Sequence, residues 1–438
     1  MIIKNIIIKN FRRYNDSVFS FNEKFNVLIG NNGKGKTTIL DALAIMLNTY
    51  FQKSGIPTGA SGIKSEDARF IVTEKEGQVF REPCTDVWLK ASAISGGRVY
   101  EWQRNKGDRG GSAHNFIKLG TETRAAVARG ENLICPLLLY YGAGRLWNIH
   151  RNVETARPDS QLDAYRYCLD PKSDQNAFAK WFKKLTFTQL QRRTTIPALD
   201  AVRNAVLCCT PGASEFYHDI AEDQIMLKLD HEGLMPFNFL SDGFRNMVAM
   251  VADMAHRACR LNPHLASNAA KETPGVVLID EIDLHLHPKW QRRVVTDLQH
   301  AFPKIQFIAT THSPFIIQSL EAGQLIDLEQ ELTSEQIDTI QPGIAAPGPG
   351  YNFSNRSIED IIEEVMQIPV PQRSERYQRM YDAATEYYRL LKEGSNASPQ
   401  EKEHLKQRLD ELSAPFSDNP AYSAFLKMER LASGMEDV

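Results

Sequence analysis

The sequence predicts an α/β fold in which a largely parallel sheet carries helices on both faces. Apolar runs of strand length alternate with helix-length segments through residues 1–328, a pattern typical of parallel sheets covered by helices. A glycine-rich loop at 30–35 joins a strand to a helix, and a Pro- and Gly-rich stretch at 342–350 precedes a helical tail. We therefore expect a head at 1–328, a linker at 329–353 and a C-terminal helical region at 354–438.

The N-terminal elements are defined by composition. Ile2 to Phe11 and Phe25 to Ile29 are rich in Ile, Val and Phe, which favours strands, and a helix is predicted from Thr37 to about Tyr50. Between about 50 and 115, short strand candidates alternate with Gly-, Ser- and Lys-rich connections, as in an antiparallel sheet with mobile loops. These candidates are Ala68–Thr73, Thr85–Ile94 and Arg98–Gln103.

In the middle of the chain, a helical insertion is predicted between strands. Leu137 to Tyr141 is apolar throughout, as expected for a buried strand. Residues from about 145 to 220 lack strand signals and predict a short inserted helical lobe. The elements predicted after this lobe are strands at Gln224–Asp230 and Leu234–Phe239, a long helix at Gly243–Arg260, strand 276–280, helix 288–301 and strand 305–309.

Composition limits the class of protein. The 438 residues carry a net charge of −3 with 42% hydrophobic and 24% charged residues, which is ordinary for a globular chain and excludes a basic nucleic-acid coat. The six cysteines form no C-x-x-C pair and indicate reduced thiols. The N-terminal apolar run is interrupted by Lys4 and Asn5 and predicts a strand rather than a signal peptide. Since no apolar run approaches the roughly 20 residues of a membrane span, we expect a cytoplasmic protein.

The glycine-rich loop fits G-x-x-x-x-G-K-[ST] in full and lies between a strand and a helix, the context that this motif requires. Its glycines let backbone N–H groups point at phosphate oxygens, and the following helix adds its positive end. Lys36 is predicted to contact the β- and γ-phosphates, and the Thr37 hydroxyl to bind Mg²⁺. The candidate nucleotide-binding residues of the loop are Gly30, Asn31, Asn32, Gly33, Lys34, Gly35, Lys36, Thr37 and Thr38.

Three later motifs complete the predicted site. The apolar run Val276–Ile279 ends in Asp280 and Glu281, so Asp280 is a candidate Mg²⁺ ligand opposite Thr37, and Glu281 a candidate for polarising the attacking water. Ser241 and Gly243 open a long helix, where a serine N-cap and free N–H groups suit a γ-phosphate, although simple helix capping is the alternative. His312 follows an apolar strand and is a candidate γ-phosphate contact.

Together these motifs resemble the ABC ATPase heads of the RecF/SMC-like family, over about residues 1–328. The opening pattern from Ile6 to Arg12, followed by Val27 to Thr38, is very similar to the start of such heads. The resemblance implies an ABC-type head that binds ATP and Mg²⁺, with Asp283 in the D-loop and His312 as the switch histidine. It also implies a site completed only when two heads meet, and it counts Arg12 among the nucleotide contacts.

Two features of this resemblance carry alternatives. The signature loop departs from LSGGQ, since Asp242 replaces a glycine and Phe244 the glutamine. No Q-loop glutamine is evident, and Arg145, at the end of Tyr140–Arg145, is the candidate for a phosphate or γ-sensing contact. His285 and His287 alternate as zinc ligands can, but no further Cys or Asp cluster accompanies them, and similar heads carry this run.

The C-terminal segment has helical periodicity and two candidate roles. Ser357–Met366 places apolar residues at helical spacing, Ser398 to Glu401 resembles a capping box, and Pro420 starts a last helix. That helix carries an apolar stripe, which requires burial. The stripe either packs on the head or docks a partner. Its residues are Tyr422, Phe425, Met428 and Leu431.

A compact head with this helical tail resembles the PtuA family, the ATPase subunits of Septu-type antiphage systems, including retron-associated forms. That resemblance implies ATPase dimers, larger assemblies and a separate HNH-type nuclease subunit similar to PtuB. The chain itself carries no HNH or Toprim-like pattern, and it lacks the long coiled-coil insertion of SMC proteins. We therefore expect a regulatory ATPase with slow turnover that controls a nuclease on another chain.

Two other functions remain open from the sequence. A RecF-like ATPase of recombination or repair would clamp DNA directly, and a scaffold would use ATP only to hold its dimer together; an intact Glu281 argues against the scaffold. Basic side chains near the head are candidate contacts for DNA or RNA, with an ordinary solvated surface as the alternative. They are Arg12, Arg13, Lys106, Arg109, Arg192 and Arg193.

Overall fold

The computed structural model describes residues 1–75, 77–107, 111–145, 160–171, 175–328, 353–366, 375–394, 399–418 and 420–432. The chain divides into two compact units, Met1–Ile361 and Ile362–Val438. Nearly all of the predicted linker at 329–353 lies outside the described residues, and so do Arg109 and Ser398. No helix within the described ranges is long and apolar enough to cross a bilayer.

The secondary structure alternates as predicted, with additional short elements. The strands are β1 Ile2–Phe11, β2 Tyr14–Ser20, β3 Phe25–Ile29, β4 Phe70–Lys75, β5 Gln78–Pro83, β6 Trp88–Ser95, β7 Arg98–Asn105, β8 Leu137–Tyr141, β9 Ala213–Asp219, β10 Gln224–Leu229, β11 Gly233–Pro236, β12 Gly275–Ile279, β13 Ile305–Thr310 and β14 Leu325–Asp327. The helices are α1 Lys36–Asn48, α2 His114–Ala128, α3 Gln175–Arg192, α4 Pro197–Cys209, α5 Asp242–Leu261, α6 Ala269–Glu272, α7 Pro288–Gln291, α8 Val294–Ala301, α9 Pro314–Gln318, α10 Ile358–Asp360, α11 Glu375–Gly394, α12 Pro399–Ser413 and α13 Pro420–Ala432.

A five-stranded parallel sheet forms the centre of the first unit, in the order β14-β3-β13-β12-β8. Strands β3, β8, β12 and β13 are buried along their whole length, as expected when helices cover both faces. Because all five strands are parallel, the loops that follow β3, β12 and β13 emerge at the same edge. The predicted α/β class is confirmed.

A four-stranded antiparallel sheet, in the order β2-β1-β6-β7, lies beside the central sheet. The buried side chain of Gln306 on β13 joins the two sheets, because its amide donates to the Ile3 carbonyl (2.8 Å) and accepts from the Ile3 N–H (2.7 Å). These bonds coincide with a register shift of β1 between Ile3 and Asn5. On the other side, Trp102 of β7 stacks on Phe116 of α2 with ring centroids 3.8 Å apart.

Sequence reasoning missed several elements of the first unit. Strand β2 was not predicted because polar residues such as Asp16 interrupt its apolar pattern, and helix α2 has only four buried residues. The predicted helical lobe contains α3 and α4 but also β9, of which Phe216 and His218 are the buried members, too weak a signal for a strand. The single helix predicted at 288–301 consists of α7 and α8.

Within the second unit, α11, α12 and α13 share a small apolar core. Its buried members are Tyr387, Leu390, Leu409 and Leu426, with Leu405, Leu412 and Tyr422 partly buried against them. The helix predicted to start at Pro420 is present. The predicted apolar stripe is not its buried face, since Phe425, Met428 and Leu431 are 51%, 68% and 49% exposed. The residue of this helix that lies in the core is instead Leu426, one position after Phe425.

Candidate nucleotide-binding site

The glycine-rich loop lies between β3 and α1 at the edge where the parallel strands end. Gly30, Gly33 and Gly35 have φ of 146°, 82° and 89°, a region that L side chains rarely adopt. Glycine is required at position 35 for a second reason besides φ. An added Cβ would lie 2.6 Å from Arg13 Cδ and 2.8 Å from Tyr14 Oη. The loop conformation therefore follows from its glycine positions.

Tyr14 and Arg13, which the sequence analysis did not assign to the nucleotide-binding site, hydrogen-bond to the loop backbone. The Tyr14 hydroxyl donates to the Lys34 carbonyl (2.9 Å), and Arg13 Nη1 donates to the Gly33 carbonyl (2.5 Å). Arg13 directly precedes β2 and Tyr14 begins it, next to the opening motif in sequence. No local pattern marks them, because their partners lie about twenty residues further along the chain.

Lys36 is 9% exposed, and its ammonium donates to the carbonyls of Gly30 (2.7 Å) and Asn31 (3.3 Å). It therefore lies across the loop from which the phosphate-binding N–H groups are predicted to project. The charge of a lysine in this position complements phosphate oxygens.

The first helical turn and the end of β12 meet through a hydrogen-bonded cluster. Thr37 Oγ1 donates to Asp280 Oδ2 (3.0 Å), and Thr310 Oγ1 donates to Asp280 Oδ1 (2.7 Å). Thr310 Oγ1 also accepts from the Glu281 N–H (2.8 Å). The two predicted Mg²⁺ ligands, 243 residues apart in sequence, are thus adjacent. Sequence reasoning missed Thr310, although it sits in the run before His312.

The backbone at Glu281 is held in an unusual conformation, with φ of 49°, which is uncommon for residues other than glycine. Its N–H is fixed by Thr310, and the next N–H, of Ile282, donates to the Thr310 carbonyl (2.9 Å). The Glu281 side chain remains partly exposed. Such strained positions persist where the surroundings determine them, often at functional sites.

Arg145 is 3% exposed, and the structure gives it partners other than the predicted phosphate. Its guanidinium donates to the carbonyls of Asp280 (2.7 Å), Glu281 (3.0 Å) and Gly142 (3.1 Å), and to Asn246 Oδ1 (2.7 Å). Burial lowers the pKa of Arg145 to about 10, while nearby carboxylates oppose this shift, so the side chain is charged at neutral pH. The geometry places it behind the acidic pair as a support for the backbone.

Arg12 also has protein partners. Its Nη1 donates to Asp41 Oδ2 (2.5 Å) and its Nε to Asp67 Oδ1 (2.9 Å). Asp41, on α1, also accepts from the Tyr140 hydroxyl (2.9 Å). Arg12 therefore ties the end of β1 to α1, and its contact with nucleotide stays a prediction.

The start of α5 presents one exposed and one buried residue. Ser241 occupies the N-cap position and is exposed, but its side chain makes no capping bond. Gly243 is buried, and an added Cβ would lie 2.0 Å from the His285 carbonyl oxygen, so glycine is required there by packing on the segment after Glu281. Phe244 contacts Trp290 edge-on, with ring centroids 4.4 Å apart.

The segments after β12 and β13 are also bonded to each other. Thr311 Oγ1 donates to Asp283 Oδ1 (2.6 Å), and His312, two residues after the end of β13, is exposed. The zinc alternative gains no support, since His287 Nδ1 accepts from the Lys289 N–H (3.3 Å). Among the described residues no group of three or more His, Cys, Asp or Glu side chains could hold a metal ion.

Comparison with known proteins agrees with this geometry. Residues 1–93 match the family described as "AAA ATPase domain". Residues 153–318 match a second AAA domain family, whose description also mentions the AbiEii toxin and type IV toxin–antitoxin systems.

Two curated relatives match over most of the chain. "Retron Ec83 probable ATPase" of Escherichia coli is 24% identical over 395 residues, with 74% of this chain and 70% of the relative covered. "Septu protein PtuA" of Bacillus thuringiensis is 23% identical over 404 residues, with 90% of each chain covered. A solved SMC head, bound to the C-winged helix domain of ScpA, is 16% identical over 77% of this chain and all of that chain, with a TM-score of 0.45. At that score the fold assignment rests on the strand order itself.

The parallel sheet, the loop and the cluster around Asp280 define a P-loop ATPase head of the ABC type. Within that class the chain is similar, over most of its length, to Septu PtuA and to a retron ATPase.

Proposed function

We propose that the protein is the ATP-binding and ATP-hydrolysing subunit of an antiphage defence complex, in which ATP-dependent pairing of two heads controls a separate nuclease subunit. The observation that carries the ATPase part is the cluster of Thr37, Asp280, Thr310 and Glu281 beside the loop. The defence role is supported by the Septu and retron relatives.

Each residue of the cluster has a task in this proposal. Lys36 and the loop N–H groups bind the β- and γ-phosphates. The oxygen donors of Thr37 and Asp280 suit Mg²⁺, which when bound would neutralise phosphate charge. Glu281 accepts a proton from the attacking water. Thr310 keeps the carboxylate of Asp280 and the backbone of Glu281 in fixed relation.

A second copy of the chain completes the site. Ser241 is exposed and its hydroxyl is not used for capping, so it is accessible to the γ-phosphate held by another head. The N-terminal end of the 20-residue helix α5 favours negative charge at that point. His312, exposed after β13, is proposed to contact the same phosphate within its own head.

The controlled partner is proposed to be an HNH-type nuclease similar to PtuB, because the sequence has no nuclease pattern and the relatives include Septu PtuA. DNA or RNA is a further proposed ligand of the head, through side chains such as Arg13 and Lys106. Phosphate contacts would make that binding fall steeply with salt concentration.

The decisive experiment replaces Glu281 with Gln. The variant should bind ATP with near wild-type affinity and hydrolyse it about 10²–10⁴-fold more slowly, and it should accumulate as an ATP-bound head pair. A cysteine pair at Asn32 and Ser241, with Cys84 and Cys208 changed to Ser, reports the pairing directly, since the crosslink should join two chains only when ATP is present. Wild-type turnover by Glu281→Gln, or a crosslink whose yield is the same with and without ATP, would refute the proposal.

A further inference from the structure

The four hydrogen bonds of Arg145 join three separate segments of the head. Nη1 and Nη2 donate to the carbonyls of Asp280 and Glu281, Nη1 also reaches Gly142 in its own loop, and Nε donates to Asn246 on α5. Arg145 and Asn246 are 3% and 4% exposed. Breaking one of these bonds would therefore leave a buried polar group without its partner, which is unfavourable.

Two of these hydrogen bonds hold the backbone next to the proposed general base, Glu281. Glu281 has φ of 49°, a conformation that is disfavoured for a residue with a side chain. Thr310 and Arg145 hold the strained residue Glu281 at its N–H and at its carbonyl. Arg145 thereby fixes the direction in which the Glu281 carboxylate projects.

The bond from Nε holds α5, the helix that begins at the signature loop. Asn246 lies just over one turn from Ser241, the N-cap of α5. The start of that helix is also packed at Gly243 against the backbone of His285 and Leu286, four residues beyond Glu281. Both contacts are buried, so they connect the start of α5 directly to the segment that contains Glu281.

We propose that Arg145 is a positioning residue that couples the two ATP sites of a head pair. Through Asp280 and Glu281 it senses the nucleotide of its own head, and through Asn246 it moves Ser241, which faces the nucleotide of the partner head. The inference rests on the proposed two-headed site and adds to it a route for communication between the two nucleotides.

The chemistry of the side chain explains why arginine occupies this position. Four acceptors surround one planar group, and only a guanidinium offers a rigid fork of donors that also includes Nε. Lysine has a single ammonium, which cannot hold the carbonyls of Asp280 and Glu281 in the geometry of this fork, whereas replacing the acceptor Asn246 leaves the fork on those two carbonyls in place. The two functions of the residue can therefore be separated by substitution.

The test compares Asn246→Leu with Asn246→Asp in the full chain, using ATP hydrolysis measured against ATP concentration. The leucine variant removes the acceptor for Nε, and the aspartate variant keeps one. Wild type and Asn246→Asp should hydrolyse ATP with a Hill coefficient clearly above 1. Asn246→Leu should give a Hill coefficient of 1, with ATP affinity and the maximal rate within about threefold of wild type. Thermal melting of each variant checks that it is folded.

Arg145→Lys provides the second arm. Its maximal rate should fall about 10- to 100-fold, because small misplacements of a catalytic group are costly, while KM changes little. A wild-type Hill coefficient of 1, equal Hill coefficients for the two Asn246 variants, or an undiminished rate for Arg145→Lys would overturn the inference. If Glu281→Gln forms no ATP-dependent pair, the proposed function fails instead, and a loss of rate in Arg145→Lys would still report positioning within one head.

Discussion

Replacing Gly35 with alanine tests whether the glycine-rich loop is held by steric fit as well as by backbone conformation. At φ of 89°, a Cβ costs roughly 1–2 kcal/mol. The added carbon would also lie 2.8 Å from Tyr14 Oη and 2.9 Å from Tyr14 Cε2. The tyrosine must move, and its hydrogen bond to the Lys34 carbonyl (2.9 Å) is worth about 0.5–1.5 kcal/mol.

Both terms oppose the loop conformation that the phosphates require. Their combined effect is about 1.5–3.5 kcal/mol, which corresponds to a loss of ATP affinity of about 10- to 300-fold, at roughly 1.4 kcal/mol per factor of ten. Gly33→Ala is the matched control. Gly33 has a similar φ of 82° but no atom within 4 Å of an added Cβ, so only the backbone term of roughly 1–2 kcal/mol remains.

Calorimetric titration with ATP, in the Glu281→Gln background to prevent turnover, measures these losses. Tyr14→Phe, which removes only the hydroxyl, should weaken binding by about 2- to 13-fold. The combination of Tyr14→Phe with Gly35→Ala should lose less affinity than the two changes add up to, because they share one contact. If Gly35→Ala binds ATP as well as Gly33→Ala does, the steric argument is refuted.

Four further outcomes are expected. Lys36→Ala should abolish ATP binding in calorimetry, because the loop loses its charge on the phosphates, and unchanged affinity would contradict the assignment. Thr310→Val should keep ATP affinity but lower the turnover rate by about 10- to 100-fold, since Asp280 and the Glu281 N–H each lose a partner; a wild-type rate would show that these bonds do not position the acids. Burial lowers the pKa of His256 from 6.5 to about 4, so the unfolded chain binds more protons between these values and stability should fall by roughly 1–2 kcal/mol from pH 6.5 to 5; melting curves should show this, and His256→Leu should remove it. A chain ending at Ile361, the boundary of the first unit, should stay folded and bind ATP while losing its nuclease partner in co-purification; retained capture would place the docking surface on the head.

Local sequence patterns were sufficient where structure and chemistry are local. The bounds of β3 and β8 were predicted to the residue, because each is a short, largely apolar run that a glycine follows directly. The loop motif was likewise identified in its proper context between a strand and a helix. The long helix α5 was predicted to within one residue at each end.

The sequence was insufficient where a residue's partners are distant in the chain. Arg145 was predicted as a phosphate contact, but three of its acceptors lie 101, 135 and 136 residues away, and nothing in its own segment distinguishes a backbone support from a phosphate contact. The same holds for α13. Its helical period was evident, but whether Phe425 or Leu426 faces the core depends on Leu409 and Tyr387 from other helices.

The two halves of the proposed site differ in how they are held, and this difference gives ATP a mechanical role. The half formed by Thr37, Asp280 and Glu281 is fixed within one head by Thr310 and Arg145, so binding requires little reorganisation there. Ser241 belongs to the other half and is exposed, without a capping bond. In the proposed function, its interaction with the γ-phosphate is made only when a second head arrives. On the proposed function, the first half therefore sets the affinity for ATP, and the second converts bound ATP into association of heads.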